Sequence, residues 1–434
     1  MKEPLENGAV KVLHALQQQG YEAYLVGGCV RDKMLQRPVK DYDIATSARP
    51  EQVQKTFSRT IPTGLQHGTV TVIVDGFTYE VTTFRKEEGY EQYRRPSEVH
   101  YIDSLLEDLR RRDFTMNAMA LDADGLLMDP FHGMEDLRLG VLRCVGVPDE
   151  RFEEDALRML RCIRFASEYG LQIEEQTWAS LCSHAPLLKH IAMERVRMEL
   201  ERMIGGAAPH RAICLLIESG LLQQSKEPLR LAQLTHEKAT TADLNPLMKI
   251  AAPAARWAAI YLTIAGDADS VEEDLKRLTF SKQQIKDIVW IVAASIYIVE
   301  QAVIYNKGAD ENCDSLERSW KLAALQYGTK SMWELHSLIC LDSAAALLPS
   351  FPSGLLESLA ANGADWLEEL QITSLSELQL SGKDLLIHLN RKGGPWMSAV
   401  LQHLLEQTAL GHIENQTEPL LEEAKRWVLY NEPA

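Results

Sequence analysis

The 434-residue chain is short of positive charge: 45 Lys and Arg stand against 62 Asp and Glu, a formal net charge of −17. Taken alone, that deficit argues against indiscriminate binding to nucleic acid. Cysteine is scarce as well. The seven thiols (Cys29, Cys144, Cys162, Cys182, Cys214, Cys313 and Cys340) are odd in number, and none stands at Cys-x-x-Cys spacing. That pattern excludes a zinc site or a disulfide framework and suits reduced, packed thiols of a cytoplasmic protein. No apolar run reaches the roughly 18–20 residues of a membrane span. The best candidate, "IVWIVAASIYIV", has 12 residues before Glu300 interrupts it, and a buried helix is expected there. The opening "MKEPLENGAVKVL" lacks a basic stretch leading into an apolar one, so it does not read as a secretory signal. No repeat of fixed period and no low-complexity segment occurs.

The charge that is present is uneven. Residues 1–164 carry 22 Lys and Arg against 27 Asp and Glu, whereas the remaining 270 carry 23 against 35. Basic side chains also cluster, at Arg94 and Arg95, at Arg110, Arg111 and Arg112, and at Arg158, Arg161 and Arg164. Such clusters, not the total, decide where a polyanion sits.

The length implies roughly two to four domains. Residues 1–145 mix element types. "GAVKVLHALQQQG" has helical spacing and stops at Gly20, "EAYLVGG" reads as a strand entering a glycine turn, "DYDIATS" as a second strand, and "RPEQVQKTFSR" as a short helix. "GTVTVIVDGFTYEVTTFR" alternates and is broken by Asp75-Gly76, a hairpin signal. After about residue 146 the strand signal fades. "FEEDALRMLRCIRFASEYG", "AMERVRMELERMIG" and "HRAICLLIESGLL" carry helical periodicity. The predicted fold class is α+β: a small mixed sheet with helices over 1–145, followed by all-α segments over 146–207, 208–306 and 307–434 in an elongated multi-domain chain.

Three pieces of the first segment read as parts of one site. Gly27 and Gly28 follow an apolar strand and precede "CVRDKML". Glycines there let backbone N–H groups approach a phosphate, and Arg31 adds a forked donor. Asp41 and Asp43 stand two apart in a segment read as a strand, where such residues share a face. In isolation the pair fits a solvated edge or turn; facing a phosphate-binding turn, it fits a divalent metal site. Glu80 in "YEVTTF" offers a third carboxylate, or simply an outward strand residue. Of the arginines in "EDLRRRDFTMNAMA", Arg112 is expected to turn inward.

The ordered set "LVGGCVRD", "DYDIAT", "HGTVTV", "YEVTTFR", "RRRDFTMNAMALD", "DPFHGMEDL", "FEEDALRMLRCIRFASEYG" and "ERVRMEL" resembles the bacterial class II tRNA nucleotidyltransferases, the CCA-adding and poly(A) polymerase family. The C-terminal "NRKGGPWMSAVLQHLLEQTALGHIENQTEPLLEEAKRW" resembles that family's tail, so the likeness spans most of the chain. The resemblance implies a nucleotidyltransferase head followed by helical neck, body and tail. It implies addition of C, C and A to tRNA 3′ ends from CTP and ATP with Mg²⁺, without a template and without a role for DNA or a membrane. By matching position, Gly28, Arg31 and Arg112 would bind the nucleotide and Asp41 and Asp43 the metal. Asp155 and Arg158 would read the base, with Arg161 and Arg164 as further nucleotide contacts.

The base-reading pair is chemically reasonable. On a helix, residues i and i+3 are neighbours. A carboxylate only accepts hydrogen bonds and a guanidinium only donates. Cytosine and adenine each present an amino donor beside a ring-nitrogen acceptor, whereas uracil and guanine present a carbonyl beside an N–H. An ordinary surface ion pair is the alternative. Three other functions compete. An A-adding enzyme or poly(A) polymerase of the same family shares every motif; the full-length loop after "TFR" disfavours CC addition alone. A helical RNA-binding protein with an inactive head would not need the intact Asp and Arg pairs. A His-Asp phosphohydrolase lacks its dipeptide here. In the tail, Gly393 and Gly394 with Arg391 and Lys392 suit an RNA backbone phosphate or, equally, a capped loop.

Overall fold

Ala9, Val12, Leu13 and Leu16 form one buried face of helix α1 (Pro4–Gln18). That face lies on a sheet built from β1 (Ala23–Val26), β2 (Asp43–Thr46), β3 (Thr60–Gly64), β4 (Thr69–Val74) and β5 (Phe77–Thr83). Gly8 makes the approach possible: a Cβ there would run into the hydroxyl of Tyr79, which donates to the Leu5 carbonyl at 2.9 Å. The structure, a computed structural model, describes residues 4–91, 95–234, 244–307 and 313–431. Arg94 and the 308–312 segment beside the expected body–tail boundary lie outside the described residues. The chain divides into two compact units, Met1–Leu229 and Arg230–Ala434.

The sheet of the first unit has seven strands in the order β3-β4-β5-β2-β1-β8-β9, the last two being Ala120–Leu121 and Leu127–Met128. Asp75 and Gly76 adopt φ of 52° and 84°, and β4 pairs antiparallel with β5 across them, as Asp-Gly in a two-residue turn demands. β2 runs parallel to β5, with Asp43 opposite Glu80, and antiparallel to β1, with Asp43 opposite Val26. The sheet is therefore mixed, as expected. β6 (Arg85–Glu91) and β7 (Arg95–Tyr101) pair as a separate antiparallel ribbon. The sequence reading treats this segment as a loop, because its charged residues give no apolar alternation to follow.

Helices follow: α2 (Gly28–Met34) after β1, α3 (Pro50–Thr56), α4 (Leu105–Arg110), α5 (Gly133–Leu139), α6 (Pro148–Glu154), α7 (Leu157–Tyr169), α8 (Glu175–His184), α9 (Met193–Ile204) and α10 (Pro209–Ser219). Val26, Ala45, Phe84, Leu105, Leu109, Ala118, Ala120 and Val145 form the apolar cluster beneath the β1–α2 turn. "FEEDALRMLRCIRFASEYG", which reads as one helix, is two. Asp155 is extended at φ −145° and ψ 98°, and its carboxylate accepts the Leu157 N–H at 3.0 Å. A side chain that competes for backbone N–H groups ends one helix and starts the next.

Among the described residues of the second unit, every regular element is a helix. Its longest helix, Lys282–Lys307, is long and apolar enough over Lys282–Ile304 to cross a membrane by length and composition. One face, including Ile288, Ile291, Val292, Ser295 and Ile298, is buried, and the helix packs against Pro253–Thr263, Cys313–Tyr327 and Thr329–Ile339. The buried Trp320 indole donates to the Gly363 carbonyl at 2.9 Å. A further core around Leu385, Val400, Leu404 and Leu420 binds the C-terminal helices.

One position tests how tightly the site's support is packed. At the start of α5, Asp129 accepts the N–H groups of Gly133 and Met134 at 2.7 and 2.9 Å. A Cβ on Gly133 would overlap the Thr115 carbonyl oxygen. Gly133→Ala is expected to destabilise the protein by about 2 kcal/mol. Thermal unfolding measures this, and an unchanged midpoint contradicts the packing.

Candidate active site

A cleft of about 500 Å³ opens in the first unit, and the sequence-picked residues converge on it. Gly28, Arg31, Asp41, Asp43 and Arg112 line it from the sheet side. Asp155, Arg158, Arg161 and Arg164 line it from α7 and its entry. Glu80 is not among the lining residues, although its charge reaches Asp43. Counted around the cleft are eight arginines and four aspartates. An acidic protein thus presents a locally cationic hollow, where field lines concentrate between low-dielectric walls.

At the floor, Gly27 has φ 74°. A Cβ there would stand 3.1 Å from Arg112 Nη1 and 3.9 Å from Asp43 Oδ2. The glycine therefore serves twice, by its backbone angle and by letting a guanidinium and a carboxylate close on the turn. Asp41 lies before β2, not in it, so the strand pleat alone does not set its direction. The Asp43 carboxyl reaches solvent yet is pushed up to about 6: the surrounding protein strips its water first, and Asp41 and Glu80 add repulsion that Arg112 only partly offsets. That surplus of negative charge fits a cation. Among the described residues, no group of three or more His, Cys, Asp or Glu is arranged to hold a metal by itself. Two carboxylates, with substrate oxygens and water completing the shell, are what a hard divalent cation accepts.

The arginines are held by buried carboxylates that sequence reasoning missed. Asp108, 1% exposed, takes Arg111 at 2.8 Å and Arg112 at 3.2 Å. Arg112 Nε is buried without a hydrogen-bond partner. Asp113 accepts Arg161 Nε and Nη2 at 2.8 and 2.6 Å and Asn117 Nδ2 at 3.0 Å; Asn117 Oδ1 in turn accepts Arg31 Nη1 at 2.7 Å. Burial alone would raise the Asp113 carboxyl, but Arg161, the Asn117 hydrogen bond and Arg158 bring it down to about 2. The signal for Asp113 and Asn117 was present: with Thr115 between them, they are polar residues at alternate positions in the otherwise apolar "DFTMNAMA".

Asp155 and Arg158 share the cleft but are not a helical ion pair. Asp155 lies in the break between α6 and α7. Arg158 binds Glu154 at 2.6 Å and the carbonyls of Arg151 and Arg111 at 3.1 and 2.9 Å. Its Nε–H and one Nη2–H remain for a ligand. Arg164 is more fully engaged, with Glu199 at 2.6 Å and Glu168 at 3.1 Å. Cys29 and Cys144 are buried, and burial first of all pushes their thiols up to about 12. Cys29, Cys144, Cys162, Cys182, Cys214 and Cys340 are free thiols.

A mixed sheet with paired carboxylates at a glycine turn, facing arginines on a following helix, defines a phosphate-handling site of nucleotidyl-transfer type. Comparison with known proteins agrees. Residues 23–143 match the family described as "Poly A polymerase head domain", residues 170–228 "Probable RNA and SrmB- binding site of polymerase A", and residues 355–424 "tRNA nucleotidyltransferase domain 2 putative". The chain is 38% identical over 426 residues to the CCA-adding enzyme of Anoxybacillus flavithermus, covering 98% of this chain and 97% of that one. It is 37% identical over 432 residues to the CCA-adding enzyme of a Geobacillus species, covering 99% and 98%. Among solved structures, the CCA-adding enzyme of Bacillus stearothermophilus in complex with CTP superposes with a TM-score of 0.78, at 32% identity and 99% coverage of both chains. The chain belongs to the family of CCA-adding enzymes, tRNA nucleotidyltransferases. Membership implies use of a divalent metal ion.

The Asp113 pairing has a pH signature. Its carboxyl is held below the ordinary value of about 3.9. The ionised group's contribution is complete above that value and is lost as pH falls through about 2. Asp113→Asn is expected to lower stability at neutral pH by on the order of 2 kcal/mol, with the gap from wild type closing in acid. Denaturant melts across pH measure this, and a gap independent of pH contradicts the pairing.

Proposed function

We propose that the protein adds C, C and A to the 3′ end of tRNA from CTP and ATP, releasing pyrophosphate, with Mg²⁺ as the metal and the cytoplasm as its location. The observation that carries the reading is the convergence, in one arginine-rich cleft, of the Asp41/Asp43 pair with Asp155 and Arg158. Full-length likeness to CCA-adding enzymes supports it. Free cysteines and bacterial relatives support the cytoplasm.

In this reading Asp41 and Asp43 hold the Mg²⁺, with Glu80 adding negative potential from the neighbouring strand. When bound, the ion steadies phosphate oxygens and lowers the barrier for the attacking hydroxyl. The backbone at Gly27 and Gly28 lets the triphosphate approach the start of α2. Arg31 and Arg112 donate to its oxygens, and Arg161 and Arg164 shape the wall on α7. Asp155 accepts from the exocyclic amino group of cytosine or adenine while Arg158 donates to the adjacent ring nitrogen. UTP and GTP present the inverse pattern and leave polar groups unpaired, a cost of about 1–3 kcal/mol each. Residues 1–145 serve as head, 146–207 as base-selecting neck, 208–306 as body and 307–434 as tRNA-binding tail.

Purified protein given tRNA transcripts lacking CCA, with CTP and ATP supplied separately and together, tests the function. C addition followed by A addition is expected. Addition of A only to transcripts already ending in CC would replace the reading with the A-adding one. Asp43→Ala is expected to cut transfer by at least about a thousandfold while thermal unfolding stays near wild type; normal turnover sinks the metal assignment. Arg158→Ala, assayed with all four nucleotides, is expected to relax rejection of UTP and GTP. Unaltered preference removes it from base selection.

A further inference from the structure

Phe165 and Tyr169 stand one turn apart on α7 and are packed by guanidinium groups. Arg161 and Arg164 lie over Phe165 at 5.2 and 3.9 Å from the ring centre. Arg31 spans both rings, 5.2 Å from Phe165 and 4.4 Å from Tyr169. Tyr169 also carries Arg37, at 4.4 Å. Arg37 follows Gln36, whose φ is 55°, and its N–H returns to the Asp32 carbonyl at 2.8 Å. The chain beyond α2 thus curls back so that an exposed arginine reaches the ring. The Tyr169 hydroxyl donates to Asp32 Oδ1 at 2.8 Å, and Asp32 takes Arg31 Nε and Nη2 at 3.0 and 3.1 Å. Burial, with the Asp32 hydrogen bond, holds that hydroxyl well above the ordinary phenol range, so it remains a donor.

Arg31 is therefore fixed on three sides: by Asp32 in its plane, by Asn117 at its tip and by Tyr169 on its face. Its remaining Nη1–H and Nη2–H belong to a side chain that lines the cleft. Arg37 does not line the cleft. We propose that Tyr169 is a positioning residue for nucleotide binding, which with Arg37 as an outer clamp holds the Arg31 guanidinium in place for the triphosphate. The inference rests on the reading of the cleft as a nucleotide site. A triphosphate is shared by every substrate, so the effect falls equally on CTP and ATP and leaves base choice alone. A preset guanidinium loses less freedom when it binds, which appears as affinity and not as rate.

The test compares wild type with Tyr169→Phe, Tyr169→Leu and Arg37→Gln in steady-state addition to tRNA transcripts. Tyr169→Leu is expected to raise KM for CTP and for ATP together by about tenfold, with kcat within about twofold and rejection of UTP unchanged. Arg37→Gln is expected to raise both KM values by about threefold. Tyr169→Phe keeps the stacked ring and should fall between wild type and Tyr169→Leu. Unchanged KM in a folded Tyr169→Leu overturns the proposal, as does a loss confined to kcat or a shift for one nucleotide only. Should Tyr169→Leu fail to fold, the exposed Arg37→Gln decides, and an unchanged KM there overturns it. A wild type that transfers no nucleotide sinks the cleft reading and this inference together; an active wild type with indifferent variants sinks the inference alone.

Discussion

The Asp113 carboxylate holds the two walls of the cleft together. It receives both Arg161 contacts from α7 and, through Asn117, is linked to Arg31 on α2. A buried charge is costly unless it is paired and its remaining lone pairs are used; here the Phe114 N–H also contributes, at 2.9 Å. The same device recurs around the cleft. Asp108 anchors Arg111 and Arg112, Glu154 gathers Arg151 and Arg158, and Glu199 takes Arg164. Each carboxylate fixes its arginines in orientation and uses only part of their donor capacity. A crowd of like charges is made stable in this way while staying available to an anion.

The arrangement separates two tasks in space. The paired aspartates belong to the end of a sheet, where β1 and β5 flank β2 and set the position of Asp43 to within a register step. Asp155 and Arg158 belong to a helix break, where backbone groups set direction. In the proposed function the first holds the reacting phosphate and the second examines the base. The two can therefore vary independently, provided the Asp113 linkage keeps them facing one cleft.

Much of this was legible in the sequence. The Asp-Gly hairpin, the strand before Gly27, the helical second part and nine of the ten chosen residues lining one cleft all follow from local pattern and ordered motifs. What was not legible depended on distance in space. Asp41 falls outside its strand because β2 starts only where β1 and β5 can pair with it. The helix through Asp155 breaks because a short acidic side chain caps the next turn, a choice that apolar periodicity does not record. Glu154, adjacent to the predicted pair, proved to be the partner of Arg158. Arg164, read as a nucleotide contact, lies against a glutamate 35 residues away, which only the packing of α9 brings near. The β6–β7 ribbon escaped notice because charged strands carry no apolar code.

Arg158 rests on two peptide carbonyls as well as on Glu154. Carbonyl groups are neutral dipoles that neither titrate nor gather counterions. Capture of RNA by an arginine-lined hollow is a matter of ions and weakens as they accumulate, but a guanidinium seated on peptide oxygens keeps its heading across the same range of salt. In the proposed function, where Arg158 reads the base, accuracy and affinity are thereby placed under different physical controls. On that reading, a cell whose ionic interior fluctuates would alter how often this protein meets its substrate and leave largely untouched which letter it writes.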